Sequence, residues 1–339
     1  MTASRIRIKR STASARFFRA LVVASGTVMA ILLASSAGAA NAPPVDFAND
    51  TILVIAPHPD DDILYASGIA AMAENVVIAY ITNGDYCETI TADKGNEAYC
   101  GTAEPNIGTL RQGEAVDAQA IIGNTNEQDL IFLGYPDGDL DRIWLDNPAL
   151  FPLRTDRTET YASRGRGGTD WHDYRTGSVG QHAEYTKANL LADVKALISW
   201  VDPDHIFTTD DHDRHPDHDT TWDVVTAALA ELAVDTKDDA SPLRVTLHTT
   251  IVHIGATGCW FNWPEPPGPT TPIEPGCSGP TPTTAWSETC NCPLVWQDRQ
   301  SFEVPLSMRN PTLEQNPKYR AIKYGHASQW ALDANLLGR

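Results

Sequence analysis

Short apolar runs alternate with helical patterns along most of the chain. Runs rich in β-branched residues predict buried strands at 51–56, 75–82, 129–133, 205–209 and 243–254. Apolar positions at helical spacing predict helices at 63–73, 107–122, 182–200 and 217–234, and a closing helical segment at 311–337. Because strands that alternate with helices form parallel sheets covered on both faces, the pattern predicts an α/β fold with a mostly parallel sheet.

Two long segments lack this periodicity. Residues 139–180 are polar and rich in glycine and arginine, which predicts a long loop. Residues 264–293 are rich in proline, threonine and glycine and hold three cysteines, which predicts a disulfide-stapled C-terminal insertion at 259–293. We therefore expect a single domain at 41–339 that carries both segments.

The first forty residues have the composition of a targeting segment. Six basic residues accompany an almost wholly apolar stretch at 20–37, and Ala37-Gly38-Ala39 offers a small-x-small cleavage pattern. This pattern predicts a signal peptide at 1–40 and a secreted protein, extracellular or periplasmic. An uncleaved N-terminal anchor is the alternative. No other apolar run is long enough to span a membrane, so no integral segment is expected after cleavage.

Cysteine usage and charge agree with this localisation. The chain contains six cysteines, all in the mature part: Cys87, Cys100, Cys259, Cys277, Cys290 and Cys292. An even number behind a signal peptide indicates disulfides, and proximity favours Cys87–Cys100, with the other four pairing in the later segment. A zinc site is the alternative, but those four lack paired C-x-x-C spacing. Cleavage would move the formal charge from −19 to −25, which argues against binding to nucleic acid.

Two polar clusters directly follow predicted strands. His58-Pro59-Asp60-Asp61-Asp62 follows the first strand, and the acidic run 210–219, which contains His215-Pro216-Asp217-His218, follows the fourth. Ligands of open parallel sheets bind at the carboxyl ends of the strands, so we expect the clusters to meet in one pocket. Pro216 fits the first position of a helix, which would put His215 at its cap and His218 one turn further.

These residue types suit a catalytic metal ion. Zinc takes three protein ligands from histidine and carboxylate and keeps one position for water. His58, one aspartate of the first cluster and one histidine of the second would supply that set. A nearby carboxylate off the metal can accept a proton, and a free imidazole can stabilise an oxyanion. The alternatives are solvated acidic surface and a calcium loop at Asp137–Asp141, which lacks the glycine and glutamate of an EF-hand.

The motifs resemble those of the PIG-L/LmbE-like de-N-acetylases. The similar segments lie in the family's order, at 56–62, 82–84, 110–115, 132–138, 215–218 and 321–329. The resemblance spans about 52–329. It implies a Rossmann-like fold and the zinc-dependent removal of acetyl groups from N-acetylated sugars.

The resemblance also implies roles for residues of both clusters. His58, Asp61 and His218 would bind one zinc ion per chain, or another divalent metal. Asp60 would be the general base and could return the proton to the leaving amine. His215 would stabilise the tetrahedral oxyanion.

The segments between the clusters receive roles in the same way. Arg111 and Asp137 would hold sugar hydroxyls, and Glu114 would help to position Arg111. A helix-surface ion pair between Arg111 and Glu114 is the alternative.

Three features depart from the family pattern. Asp62 stands where the family usually has glutamate, and we expect it to support the site from outside the metal's ligands. Asp213 lies in an unusually acidic run and is a candidate for contact with the substrate. The cysteine-rich segment matches no family motif.

The expected reaction is hydrolysis of the acetamide of an N-acetylglucosamine-like unit in a glycan, glycolipid or amino-sugar metabolite outside the cytoplasm. One alternative is a metallophosphoesterase or nuclease, in which Asp210, Asp211 and His212 would add ligands for a second metal. Another is a glycan-binding protein without activity, whose aromatic candidates for stacking on sugars are Trp144, Trp171, Trp260 and Trp263. The sequence leaves the oligomeric state open.

Overall fold

A computed structural model of the chain describes residues 44–86, 106–162, 164, 172–211, 213, 215–235, 244–250, 252 and 302–328. The signal peptide at 1–40, the six cysteines and the insertion at 259–293 lie outside the described residues, so these features stay predictions. Among the described residues, no helix has the length and apolar character needed to cross a membrane.

Five parallel strands form one sheet. They are β1 (Thr51–Ala56), β2 (Asn75–Thr82), β3 (Leu130–Tyr135), β4 (His205–Thr209) and β5 (Thr246–Thr250). Their order is β3-β2-β1-β4-β5, and each neighbouring pair is parallel. This confirms the predicted α/β fold, and the order is that of the first five strands of a doubly wound sheet. It reverses between β1 and β4, where such sheets open a crevice at the carboxyl ends of the strands.

Seven helices connect and follow these strands in the described part of the chain. They are α1 (Asp61–Met72), α2 (Ile107–Ile122), α3 (Leu140–Leu145), α4 (Tyr174–Val179), α5 (Lys187–Val201), α6 (Pro216–Asp235) and α7 (Pro317–Arg320). A π-helical turn, Ala321–Gly325, continues α7. Short 3₁₀ turns lie at Glu127–Asp129, Leu306–Arg309 and Leu313–Gln315.

The sheet is covered on both faces because successive strand residues point to opposite sides. In β1, Leu53 and Ile55 belong to an apolar cluster with residues of α5 and α6. Ile52 and Val54 belong to a second cluster with residues of α1 and α2. This continuous burial accounts for the almost uninterrupted apolar runs of the central strands.

Local capping decides several helix boundaries that apolar spacing alone does not. The helix predicted at 182–200 begins only at Lys187, because the side chain of Thr186 accepts a hydrogen bond from the Asn189 backbone and caps it. The predicted start of α6 at Pro216 is confirmed. Of the strand predicted at 243–254, residues 246–250 form β5, and the other described residues, 244, 245 and 252, lie outside it.

Two secondary-structure predictions need correction: the long loop at 139–180 and the closing helical segment from 311. The segment 139–180, predicted as a long loop, contains α3 and α4. These helices have six residues each and are too short to give a readable apolar period. The described part of the closing segment, predicted as helical from 311, consists of short helical turns before and after Asn316, whose side chain caps α7.

The C-terminal turns pack against α1 and α2. Tyr319, Ala321 and Ile322 form an apolar cluster with residues of these two helices. Gly325 allows the closest approach, since a Cβ atom built on it would lie 2.5 Å from the Cα of Ala118 in α2. The absence of a side chain at Gly325 therefore sets how near the segment that follows can come to α2.

We expect Gly325→Ala to destabilise the protein by about 1–3 kcal/mol, because the added methyl group would overpack the contact with the backbone of α2. Thermal or urea unfolding measures the effect. Gly177→Ala in α4 is the matched control: a Cβ atom there meets nothing within 4 Å, so a neutral or slightly stabilising effect is expected. Equal stability of the two variants would contradict the packing argument.

Candidate active site

The two polar clusters meet at the reversal of strand order between β1 and β4. His58 follows β1, and His218 lies in the first turn of the helix α6 that follows β4. Their ring centroids are 5.1 Å apart, and both side chains are buried. The predicted meeting of the clusters at the carboxyl ends of the strands is therefore observed.

Three atoms that could each bind a metal form a tight triangle at this point, the donor triangle. His58 Nδ1 lies 3.0 Å from Asp61 Oδ2, His218 Nε2 lies 3.1 Å from the same oxygen, and the two nitrogens are 3.3 Å apart. Tetrahedral zinc holds ligands at about 2.0–2.2 Å, which puts neighbouring ligand atoms roughly 3.3 Å apart. The donor types and their spacing thus fit a zinc ion.

Each histidine of the triangle is held by carboxylates on its other nitrogen. His218 Nδ1 lies 3.2 Å from Asp213 Oδ2, and His58 Nε2 lies 3.1 Å from Asp137 Oδ1 and 3.2 Å from Asp217 Oδ2. Such pairs fix the ring orientation and tautomer of metal-binding histidines. Asp213, which the sequence made a candidate for substrate contact, is instead buried against His218.

Where no metal is bound, protonation of His58 and His218 stabilises this cluster of histidines and carboxylates. Burial lowers the pKa of His218, but Asp61 and Asp213 outweigh it and raise that pKa to about 9. Burial also opposes the charge on His58, yet Asp137, Asp217 and Asp61 hold its pKa well above the ordinary value. A divalent cation would replace these protons, so metal binding should strengthen as the pH rises.

We expect the melting temperature of the metal-free protein to fall as the pH rises from about 6.5 to 9. The folded-state pKa of His218 exceeds the ordinary 6.5, so its contribution to stability is complete below pH 6.5 and is lost as the pH passes 9. The protein would be stripped with a chelator and melted at several pH values. His218→Gln is the control and should lose less stability over the same range. A melting temperature that rises over this interval would contradict the pKa assignment.

Asp60 lies beside the triangle and forms an ion pair. Its Oδ1 lies 2.8 Å from Nη2 of Arg111, whose other terminal nitrogen, Nη1, donates to the backbone oxygen of Gly84 at 2.9 Å. A second carboxylate, Asp137, approaches the same guanidinium at 3.7 Å. The predicted base and the two predicted sugar-binding residues are therefore brought together next to the donor triangle.

His215 faces both histidines of the triangle. Its ring centroid lies 4.8 Å from that of His58 and 5.0 Å from that of His218. The backbone N–H of Asp217 donates to its Nδ1 at 3.3 Å. Because a neutral imidazole has one donor and one acceptor nitrogen, this contact leaves Nε2 as the donor. The arrangement suits the predicted stabilisation of an oxyanion.

Asp62, in the first turn of α1, contacts β2 and α2. It is fully buried, its Oδ2 accepts a hydrogen bond from Tyr80 at 2.9 Å, and Gln119 donates to the same oxygen. Burial raises the pKa of this carboxyl to about 7. The expectation that Asp62 acts from outside the metal's ligands agrees with these contacts.

Glu114 connects α2 to the C-terminal turns. Its two carboxylate oxygens accept the backbone N–H of Ser328 at 2.8 Å and the Ser328 hydroxyl at 2.5 Å. The carboxylate also attracts Arg111 electrostatically, one turn earlier on the same helix. Glu114 thus holds the helix that carries Arg111, and it is buried rather than part of a helix-surface pair.

The sequence did not single out two carboxylates that fix the turn after β3, which carries Asp137. Asp217 accepts the backbone N–H groups of Gly138 at 2.6 Å and Leu140 at 3.1 Å. Asp85 accepts the backbone N–H of Asp137 at 2.9 Å and the hydroxyl of Tyr161 at 2.6 Å. The motif at 215–218 contains Asp217, so the sequence could have identified this residue. The contacts of Asp85 depend on distant loops and have no such signal.

Comparisons with solved structures give distant similarities. The N,N′-diacetylchitobiose deacetylase from Pyrococcus horikoshii shares 17% identity over 58% of this chain and 60% of its own, with a TM-score of 0.34. A hydratase, 4-carboxy-2-hydroxymuconate hydratase from a Pseudomonas, shares 16% identity over 57% and 61%, with a TM-score of 0.34. A teicoplanin-pathway deacetylase in complex with teicoplanin shares 17% over 53% and 66%, with a TM-score of 0.33. The chain spans about six-tenths of the length of the first two. No curated protein matches it.

The sequence itself matches a family model over residues 53–229, which is more than half of the chain. The model is that of PIG-L, described as GlcNAc-PI de-N-acetylase. The matched range contains both polar clusters and the residues between them. The chain therefore belongs to the PIG-L family.

Proposed function

We propose that the protein is a secreted, zinc-dependent hydrolase that removes the N-acetyl group from an N-acetylglucosamine-like sugar unit. The observation that carries this proposal is the triangle of His58 Nδ1, Asp61 Oδ2 and His218 Nε2, with sides of 3.0–3.3 Å, beside the carboxylate of Asp60. Membership of the PIG-L family supports the amide-hydrolysing reaction.

Zinc held by these three residues would supply Lewis-acid activation of water and of the amide carbonyl. The chain provides the proton transfers. Asp60 accepts the proton of the attacking water and returns it to the nitrogen of the leaving amino sugar. His215 donates its Nε2 hydrogen to the oxyanion that forms on the acetyl carbon. The products are acetate and a free amine.

Arg111 and Asp137 would orient the sugar through its hydroxyl groups. The two side chains are mostly buried, lie 3.7 Å apart, and flank the predicted base and the donor triangle. A guanidinium supplies donors and a carboxylate supplies acceptors, which together match a vicinal pair of hydroxyls. Secretion, proposed from the sequence pattern at 1–40, favours an exposed glycan, glycolipid or amino-sugar metabolite.

Two other functions have less support. The candidate metal-binding groups among the described residues all include His58, which favours one metal over the two of a phosphoesterase. A phosphoesterase would need further ligands for its second metal. Of the candidates, Asp210 accepts a hydrogen bond from the hydroxyl of Thr249, and His212 lies outside the described residues. For a glycan-binding protein, Trp144 has Lys187 over its ring at 3.9 Å, and the other three tryptophans lie outside the described residues.

Acetate release tests the proposal. Purified protein loaded with one equivalent of zinc would be incubated with N-acetylglucosamine, its oligomers and N-acetylglucosaminyl lipids. We expect acetate and free amine from at least one of them, and loss of both after chelation. Asp219→Asn, an exposed position in the first turn of α6, is the control and should retain activity. Hydrolysis of phosphodiesters to a phosphomonoester and an alcohol, without acetate release, would overturn the proposal.

A further inference from the structure

A buried histidine that is not a proposed metal ligand, His326, lies near the active site. His326 follows the π-helical turn Ala321–Gly325 and has no exposed surface. Neither of its ring nitrogens has a hydrogen-bond partner among the described residues. Because burying a polar group without a hydrogen bond destabilises a protein, such a group calls for a functional explanation.

The backbone on both sides of His326 is tied to the helix of Arg111. Gly325 packs against the backbone of Ala118 in α2, and Ser328 donates two hydrogen bonds to Glu114 in the same helix. The His326 backbone N–H closes the π-helical turn on the oxygen of Ala321 at 3.0 Å. Turns of this type are frequent at functional sites.

Among the described residues, the charges that shift the pKa of the His326 ring belong to the active site. They are those of Asp60, Arg111 and Asp61. Burial lowers the pKa of the ring to about 4, against the opposing pull of the two carboxylates. The imidazole is therefore neutral at ordinary pH, with one donor and one acceptor nitrogen.

We propose that His326 is a positioning residue for Asp60 and Arg111, an inference that rests on the proposed function. These two side chains are paired at 2.8 Å, and the pair must loosen when Arg111 takes up sugar hydroxyls and Asp60 faces the water. A carboxylate only accepts and a guanidinium only donates, so the neutral ring of His326 can donate to the first and accept from the second. Once the pair loosens, the ring would hold both groups without adding a charge.

Steady-state kinetics of His326→Phe test this role. The substitution keeps an aromatic ring and removes both nitrogens. We expect kcat for acetate release to fall about 10- to 100-fold, the range that misplacement of a reacting group costs, with a smaller change in KM. Zinc content should be unchanged, and the melting temperature should stay the same or rise, since two buried polar atoms without partners are lost. Either His326→Asn or His326→Gln should recover most of kcat.

His205 offers a matched control. It is also buried, but it lies at the start of β4, at the opposite end of the strand from the site, and hydrogen-bonds to His248 at 2.9 Å and Asp50 at 3.1 Å. His205→Phe should lower the melting temperature and leave kcat per folded molecule unchanged. His326→Phe should lower kcat without lowering the melting temperature.

Each outcome decides between these roles. A wild-type kcat in folded His326→Phe overturns the inference while leaving the proposed function intact. If His326→Phe does not fold, the smaller His326→Leu replaces it, and failure of both to fold assigns His326 a structural role and overturns the inference. Absence of acetate release by the zinc-loaded wild type overturns the proposed function, and the inference falls with it.

Discussion

Replacing Asp60 by asparagine is expected to lower kcat for acetate release by about 10²–10⁴-fold, the usual contribution of general acid–base catalysis. Asparagine cannot accept the proton of the attacking water. Its side-chain oxygen can still accept a hydrogen bond from Arg111, which lies 2.8 Å from Asp60 Oδ1. The variant should therefore stay folded, retain zinc and bind substrate with a similar KM.

The measurement is a comparison of kcat, KM and zinc content between Asp60→Asn and wild type. Asp219→Asn removes a carboxylate from the exposed first turn of α6 and controls for the change in net charge. Loss of zinc from Asp60→Asn would instead identify Asp60 as a metal ligand. The geometry allows this alternative, because ligand atoms of His58, Asp60 and Asp61 lie close together. Unchanged kcat would remove Asp60 from the mechanism.

Replacing His218 by alanine should abolish both zinc binding and activity. The side chain is fully buried, and its Nε2 lies 3.1 Å from Asp61 Oδ2 and 3.3 Å from His58 Nδ1. Its loss removes one of the three proposed ligands and takes a partner from the buried carboxylate of Asp213. We expect zinc affinity to fall by more than the roughly 10- to 100-fold that loss of an outer hydrogen-bond partner costs.

Asp213→Asn gives a graded comparison. It leaves all three proposed ligands in place and changes only the group behind His218 Nδ1, so zinc affinity should fall by about 10- to 100-fold. Competition with a chromogenic chelator measures both variants. Equal zinc affinities of His218→Ala and wild type would contradict the proposed ligand set, and no effect of Asp213→Asn would show that this carboxylate does not tune the metal.

The sequence predicted the sheet and the meeting of the two clusters well, for a physical reason. Central strands buried on both faces read as apolar runs, and the residues that follow β1 and β4 share one edge of a parallel sheet. His58 and His218 could therefore be placed together before any contact was known. Pro216 at the start of α6 was predictable in the same way, from a local preference.

The partners of the site residues could not be predicted, because they depend on side-chain contacts between distant loops. Asp85 fixes Asp137 only because Tyr161 and the loop after β2 converge there. The short helices α3 and α4 lie below the length at which apolar spacing is informative. The neutral His326 stood in a recognised segment, but its burial without hydrogen bonds has no signature in the sequence.

A crystal structure of zinc-loaded protein, with anomalous data collected at the zinc edge, tests the central claim most directly. The account predicts one anomalous peak per chain, within about 2.0–2.2 Å of His58 Nδ1, Asp61 Oδ2 and His218 Nε2, with Asp60 off the metal. A peak bound by Asp137 and Asp217 instead, or none at the His58–Asp61–His218 triangle, would contradict it.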